Sequence, residues 1–184
     1  MKLLLLLQLS LSLFFPSNLV KTEVAEKIFM SLPNGFRPMT DDEIASKYFT
    51  MQRPMAMYTD QSLIVDIGVN KATSRWSEKD MDIMKSFQKS NIYNLYDKVD
   101  MISEGIKEVN GKQYVYFEFI STVKGDPNSF KDNKSIRKYT YIQYAIFGTT
   151  SLIFNLTCPA TMKDRWQNQA SDIMNSIIVK AKFK

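Results

Sequence analysis

Residues 99–123 read VDMISEGIKEVNGKQYVYFEFISTV. Asn110-Gly111 divides them into two runs, Val99–Val109 and Lys112–Val123. A two-residue type I′ turn needs positive φ at both central positions, and Asn-Gly supplies it at least cost. The spacing predicts a β-hairpin. Its second arm, Tyr114-Val115-Tyr116-Phe117-Glu118-Phe119-Ile120, is largely apolar or aromatic on both parities. That suits a central strand covered on each side.

Downstream, Lys124 to Lys138 is the one long polar stretch. Loops of this length are uncommon in compact domains and often carry function. Tyr139–Phe147 and Ser151–Cys158 then predict a second hairpin around Gly148-Thr149-Thr150, stopped by Pro159. Thr161, with Asp164 three residues on, is expected to cap a last helix. Met162, Trp166, Ala170, Ile173, Met174 and Ile177 form its apolar stripe. Ile177-Ile178-Val179 is expected to leave that helix as a short strand.

Upstream, Ser77 with acids in the following turn predicts the start of a long helix ending near Tyr96. Its stripe is Met81, Ile83, Met84, Phe87, Ile92, Leu95 and Tyr96. Before it, Met55–Tyr58 and Ser62–Asn70 read as a strand pair around Thr59-Asp60-Gln61, with Leu63, Val65, Ile67 and Val69 on one face. Thr40-Asp41-Asp42-Glu43 is a capping box opening a short helix to about Tyr48, and Pro54 forbids its continuation. Hairpin-linked strands with amphipathic helices over them make the class α+β: an antiparallel sheet of about six strands flanked by helices.

The N-terminus has a different character. Met1-Lys2 is followed by an apolar run from Leu3 to Phe15, thirteen residues, and then Pro16-Ser17-Asn18. One positive charge, an apolar run and a polar break is the layout of a secretory signal peptide. The run is short of the roughly 20 apolar residues that cross a bilayer. Residues 1–22 are read as a leader, cut somewhere between Ser17 and Ala25, and residues 23–184 as one domain. The protein is expected to be exported, periplasmic or secreted, with no transmembrane span once the leader is removed. No cysteine near the leader invites a lipid anchor. Cys158, the only cysteine, shares strand parity with Leu152, Phe154 and Leu156 and reads as a small buried hydrophobe.

The element order β-β-α-β-β-β-β-α joins three local patterns: Leu32-Pro33-Asn34-Gly35-Phe36 with Met39-Thr40, Phe154-Asn155-Leu156-Thr157-Cys158-Pro159, and Trp166 followed by Ile173-Met174-Asn175-Ser176-Ile177. Together they resemble the PsbP-like fold family over about Met30 to Val179. That family includes an extrinsic subunit of photosystem II, a Ran-binding nuclear import factor and small exported bacterial proteins of unassigned role. The resemblance implies an α/β/α sandwich and an accessory protein that binds rather than converts. It carries over no site residue. The photosynthetic members' metal-binding histidines have no counterpart, because the chain has no histidine.

The same absence excludes Ser-His-Asp and Cys-His catalysis. Ser86 and Lys89 have Ser-x-x-Lys spacing but read as solvated helix positions. Glu118, between Phe117 and Phe119, is the acid whose position invites chemistry, and a paired structural carboxylate is the favoured reading. Zinc lacks ligands, and Asp126, Asn128 and Asp132 are a poor calcium set. No cofactor and no metal is expected. The net charge of +5 is spread along the sequence without a basic stripe, so no nucleic-acid partner is expected.

The expected function is therefore a non-enzymatic accessory or binding protein of the cell envelope, whose partner is an envelope protein or surface. An aromatic among lysines marks the first candidate surface: Phe130, Lys131, Lys134, Arg137, Lys138 and Tyr139. Arg75-Trp76 is the second, with a hydrophobic staple beside the Ser77 cap as its plainer reading. Two alternatives stand beside this one. A small-ligand or lipid-binding module would use a sheet–helix cavity lined by Met81, Met84, Met162 and Met174. A carboxylate-dependent hydrolase would need an acid such as Glu118 converging with a base.

Overall fold

The computed structural model describes residues 19–48, 52–125 and 134–183. Most of the leader and the centre of the long loop, including Phe130 and Lys131, lie outside the described residues.

Among the described residues, two antiparallel sheets and three α-helices make the fold. The small sheet has the order β1-β2-β10, from Leu19–Ala25, Ile28–Pro33 and Ile178–Val179. The large sheet has seven strands in the order β3-β4-β5-β9-β8-β7-β6. They are β3 (Arg37–Pro38), β4 (Ala56–Thr59), β5 (Asp66–Thr73), β6 (Lys98–Val109), β7 (Lys112–Val123), β8 (Ile136–Phe147) and β9 (Thr150–Pro159). The helices are α1 (Asp41–Lys47), α2 (Met81–Leu95) and α3 (Lys163–Asn175). Among the described residues no helix is long and apolar enough to cross a membrane.

The Asn110-Gly111 hairpin forms as its sequence dictates, with φ of 49° and 78° at the turn and Val109 opposite Lys112. The Asn110 amide also donates to the Ile177 carbonyl at 2.8 Å, tying the turn to the chain after α3. β7 is central, between β6 and β8, and both its parities are covered. Its even residues face α3 and the small sheet. The odd ones, Val115, Phe117 and Phe119, pack with Met81, Met84 and Ile92 of α2. The sandwich thus has helices on both faces, and α3 shares its face with the small sheet.

Several expectations shift. Leu19–Ala25, left by the sequence reading to the leader and its cleavage region, is the first strand. The large sheet has seven strands rather than about six, and the small sheet is additional. β5 starts at Asp66, not Ser62, because Asp60 accepts the backbone N–H groups of Ile64 and Val65 and holds that stretch as a turn. Leu63 consequently leaves the apolar face and is 37% exposed. Thr161 does not cap α3: it sits inside a 3₁₀ turn, Ala160–Met162, and the helix begins at Lys163 without a side-chain cap. On α2 the stripe is narrower than its sequence promises, since Ile83, Phe87 and Leu95 are exposed. The Thr40–Glu43 box is formed. Ser77 caps a 3₁₀ turn, Glu78–Asp80, rather than the long helix itself, which begins at Met81 without a side-chain cap.

Candidate functional site

Tyr48 and Tyr96 are the residues that end α1 and α2, each in extended conformation. An extended C-terminal residue turns its side chain out of the helix, and both lie on the α2 side of the large sheet. Between them runs a groove of about 340 Å³ across β7, β8 and β9. Ile142, Val123 and Ile136 supply its apolar surface, and Lys138, Thr140 and Asn155 its polar groups. Val123 and Ile136 are 42% and 58% exposed, so the apolar surface continues to the rim.

Each tyrosine is fixed from behind. The Tyr48 hydroxyl donates to Asp66, a buried carboxylate that also accepts from Thr59 at 2.8 Å and pairs with Lys47 at 2.5 Å. Burial, and then the bond to Asp66, push the Tyr48 hydroxyl far above its ordinary pKa, so it stays a donor. Tyr96 packs its ring against Phe119 at 5.9 Å. Burial raises its pKa too, against the opposing effect of a hydrogen bond with Ser121.

The sequence-predicted residues scatter around this groove. Lys138 lines it. Tyr139 does not, and its place in the first candidate surface is corrected: it is fully buried, because neighbours on a strand point to opposite faces. Its hydroxyl donates to Glu118 at 2.9 Å on the α3 side. Arg137 shares Tyr139's face and lies 3.9 Å from Asp100. Lys134 is exposed before β8. Arg75 is exposed, while Trp76 packs against Phe87 in the middle of α2 with ring centroids 5.6 Å apart, farther along than the N4 position a staple from Trp76 would meet. This pair neighbours Ser74, whose N–H donates to Thr149 beyond the far end of β8. At about 3.3 Å per residue the strand holds the two candidate surfaces at opposite ends of the sheet, so they do not form one face.

Tyr48 and Tyr96 are the residues sequence reasoning missed. The usable signal was an aromatic at the predicted end of each helix.

The methionine-lined cavity of the ligand-binding alternative is not formed by these residues. Met81, Met84 and Met174 are buried core side chains, and Met162 packs against the same core as Met174. Glu118 is 6% exposed, with Ser103 donating to one oxygen at 2.8 Å and Tyr139 to the other. That is the paired structural carboxylate. Cys158 is buried and its thiol is pushed up to about 11 by burial. No three acids or cysteines among the described residues gather closely enough to hold a metal ion.

One basic group does sit in an unusual environment. Lys107 of β6 donates to the Tyr141 hydroxyl at 3.0 Å and to Asn175 of α3 at 2.6 Å. Its ammonium lies 5.4 and 5.1 Å from the ring centroids of Tyr116 and Tyr141, which stack on each other. Burial lowers its pKa to about 8. Gly105 permits this arrangement, since a Cβ there would meet the Tyr116 ring at 3.0 Å.

No family model matches the chain, and no curated protein matches it by sequence. Solved structures do. Cyanobacterial PsbP from Synechocystis sp. PCC 6803 aligns with a TM-score of 0.55 at 11% identity, over 89% of this chain and 93% of its own. The fold is PsbP-like. LpqN, a Mycobacterium tuberculosis protein involved in cell envelope biogenesis, aligns at 0.53 and 9% identity over 89% of this chain and 86% of its own. The Saccharomyces cerevisiae Ran-binding protein Mog1p aligns at 0.52 and 11% identity over 88% of this chain and 96% of its own. At such identities the PsbP-like likeness is one of fold, and fold alone does not assign function.

Proposed function

We propose that this chain is an exported, non-enzymatic accessory protein of the cell envelope, and that the groove between Tyr48 and Tyr96 is where it holds its partner. The observation that carries this reading is the groove itself: an apolar floor reaching the rim, two tyrosine walls held from behind, and Lys138 at the side. Concave apolar surface with a few convergent polar groups is what recognition sites are made of. The apolar run after Lys2 supports export, and the envelope role of LpqN, which shares the fold, agrees with it. The acid that sequence reading flagged for chemistry, Glu118, is engaged in structural hydrogen bonds, which supports binding over turnover.

A photoreactive residue at Thr140 in cells should capture one envelope protein, and Tyr96→Ala or Lys138→Glu should abolish that adduct while Phe87→Ser leaves it. Recovery of the protein from the cytosolic fraction, or an adduct indifferent to both groove variants, would overturn the proposal. The lining also favours a second reading, a small amphipathic ligand with one anionic end beside Lys138. Native mass spectrometry of protein purified from cells distinguishes it by a bound mass below the size of a polypeptide.

A further inference from the structure

The charge that looks dispersed along the sequence is gathered by the fold. Two adjoining grooves, of about 680 and 430 Å³, share Lys71, Lys182 and Phe183. Together they are lined by the cations Lys27, Arg53, Lys71, Lys180 and Lys182 and by one carboxylate, Glu26. That is a surplus of four positive charges in one trough, against +5 for the whole chain. Of the five, Arg53 has an ion pair, with Asp41.

The trough is built from ordered chain. The Lys180 N–H donates to the Lys27 carbonyl at 2.8 Å, and Phe183 packs on Phe147 with centroids 5.8 Å apart. The segment bearing Lys180 and Lys182 is therefore held at both ends. The other wall is β5. It pairs with β9 along its whole length, Asp66 to Thr73, but with β4 over Asp66–Val69 alone. Among the described residues, Asn70–Thr73 thus has a strand on one side only. The reason is local: β4 begins at Ala56, two residues after Pro54, which has no N–H to continue the ladder. Gln52 and Arg53 stand across the larger groove from Lys71, Ala72 and Thr73.

We propose that this trough binds an extended acidic segment of a partner protein, which adds as a short strand beside Asn70–Thr73 with its carboxylates among the lysines. The half-paired strand supplies main-chain hydrogen bonds and the lysines supply the choice of sequence, as in other cases of strand addition. Lysine ammonium groups act as point charges on an anion without demanding a planar fork. Among the described residues, the one aromatic ring lining the trough, that of Phe183, is already packed on Phe147, which favours a peptide over a stacked nucleotide base. A concave trough also fits a chain better than a flat bilayer surface. This site is separate from the tyrosine groove and stands or falls independently of it.

The probe is a fluorescent peptide of about ten residues alternating Glu and Thr, long enough to span a typical strand, with binding read by anisotropy on the full chain. Binding should weaken as salt is raised, and the double variant Lys71→Glu, Lys182→Glu should weaken it at least about tenfold, or about 1.4 kcal/mol. Lys79→Glu should leave it unchanged. Methylating alternate peptide nitrogens, which removes donors and keeps charge, should cost a similar factor. Circular dichroism and urea unfolding confirm that the variants are folded. Failure of the peptide to bind, or indifference to the double variant, overturns the site. A methylated peptide that binds equally well, with inorganic polyphosphate binding more tightly than either, overturns strand addition in favour of a general polyanion trough.

Discussion

Lys47, the last residue of α1, meets Asp66, the first residue of β5, at 2.5 Å. The carboxylate is nearly inaccessible, with 4% side-chain exposure, whereas the lysine keeps 29%. α1 has no buried residue of its own. Its docking rests on polar contacts: this pair, the Lys47 bond to the Leu63 carbonyl, the Tyr48 bond to Asp66 and the Arg37–Glu43 pair. Asp66 therefore fixes one wall of the tyrosine groove.

Asp66→Ala should cost about 3–5 kcal/mol, the usual penalty for stripping one partner from a buried pair. It leaves the Tyr48 hydroxyl without its acceptor, and Thr59 and Lys47 with the Val65 and Leu63 carbonyls alone. Lys47→Met should cost less, about 1–2 kcal/mol, because two hydroxyls still serve the carboxylate and the lysine is partly solvated. Urea unfolding followed by tryptophan fluorescence measures both. An Asp66→Ala midpoint equal to that of the parent would show that α1 docks by some other means.

Glu118 makes a sharper comparison. Gln keeps its shape and one acceptor, and Leu keeps neither. Glu118→Gln should lose about 1–2 kcal/mol and Glu118→Leu about 3 kcal/mol, since the latter leaves the buried Tyr139 hydroxyl unpaired. Adding Tyr139→Phe to Glu118→Leu should recover part of that loss, because the orphaned hydroxyl is gone. Equal stability of the single and double variants would remove Tyr139 as the cause.

These contacts show where a sequence stops being readable. The Asn110-Gly111 hairpin and the Thr40–Glu43 box were legible because each depends on residues a few positions apart. The tyrosine groove was not: Tyr48 and Tyr96 come together only after two helices pack on one sheet face. β1 was hidden by its position after the leader's apolar run, and its partner β2 reads as a strand only once it has something to pair with. The start of α3 was misplaced because Thr161 has the right chemistry for a cap but lies within the turn that follows Pro159. The cationic trough draws on residues from Lys27 to Lys182, and no window along the chain contains it.

Gly68 tests the packing behind the groove. It lies on β5 opposite Asn155 and Met57, and a Cβ there would stand 2.6 Å from the Asn155 side-chain oxygen and 2.9 Å from the Met57 sulfur. Met57 can yield, but Asn155 lines the groove. Gly68→Ala should destabilise by about 1–3 kcal/mol, as overpacking in a filled site does. Gly68→Ala with Asn155→Ala should restore most of it. If the single variant unfolds at the parental urea concentration, the strand has more room than these distances allow.

Lys107 gives a pH signature. Burial against Tyr116 and Tyr141 lowers its folded pKa to about 8, below its ordinary value of 10.5. Below about pH 8 the amine is charged in both the folded and unfolded chains, and the cost of desolvating it is present in full. Between about 8 and 10.5 the folded chain has released the proton and the unfolded chain still holds it. There the unfolded state binds more protons, so stability rises with pH; above that window both forms are neutral and the gain is complete. Groups of the unfolded chain, its tyrosines among them, also release protons in this range, so the observable is a difference. The stability of the parent minus that of Lys107→Met should climb from about pH 7 to about pH 10, and parent minus Lys107→Arg should climb likewise, because arginine stays charged throughout. Urea midpoints at several pH values give both curves. Reductive methylation with ¹³C offers a direct check: one methylated lysine signal, absent in Lys107→Arg, should titrate well below the others. A flat difference curve, with every lysine signal titrating above about pH 10, would show that the amine is hydrated despite the two rings beside it.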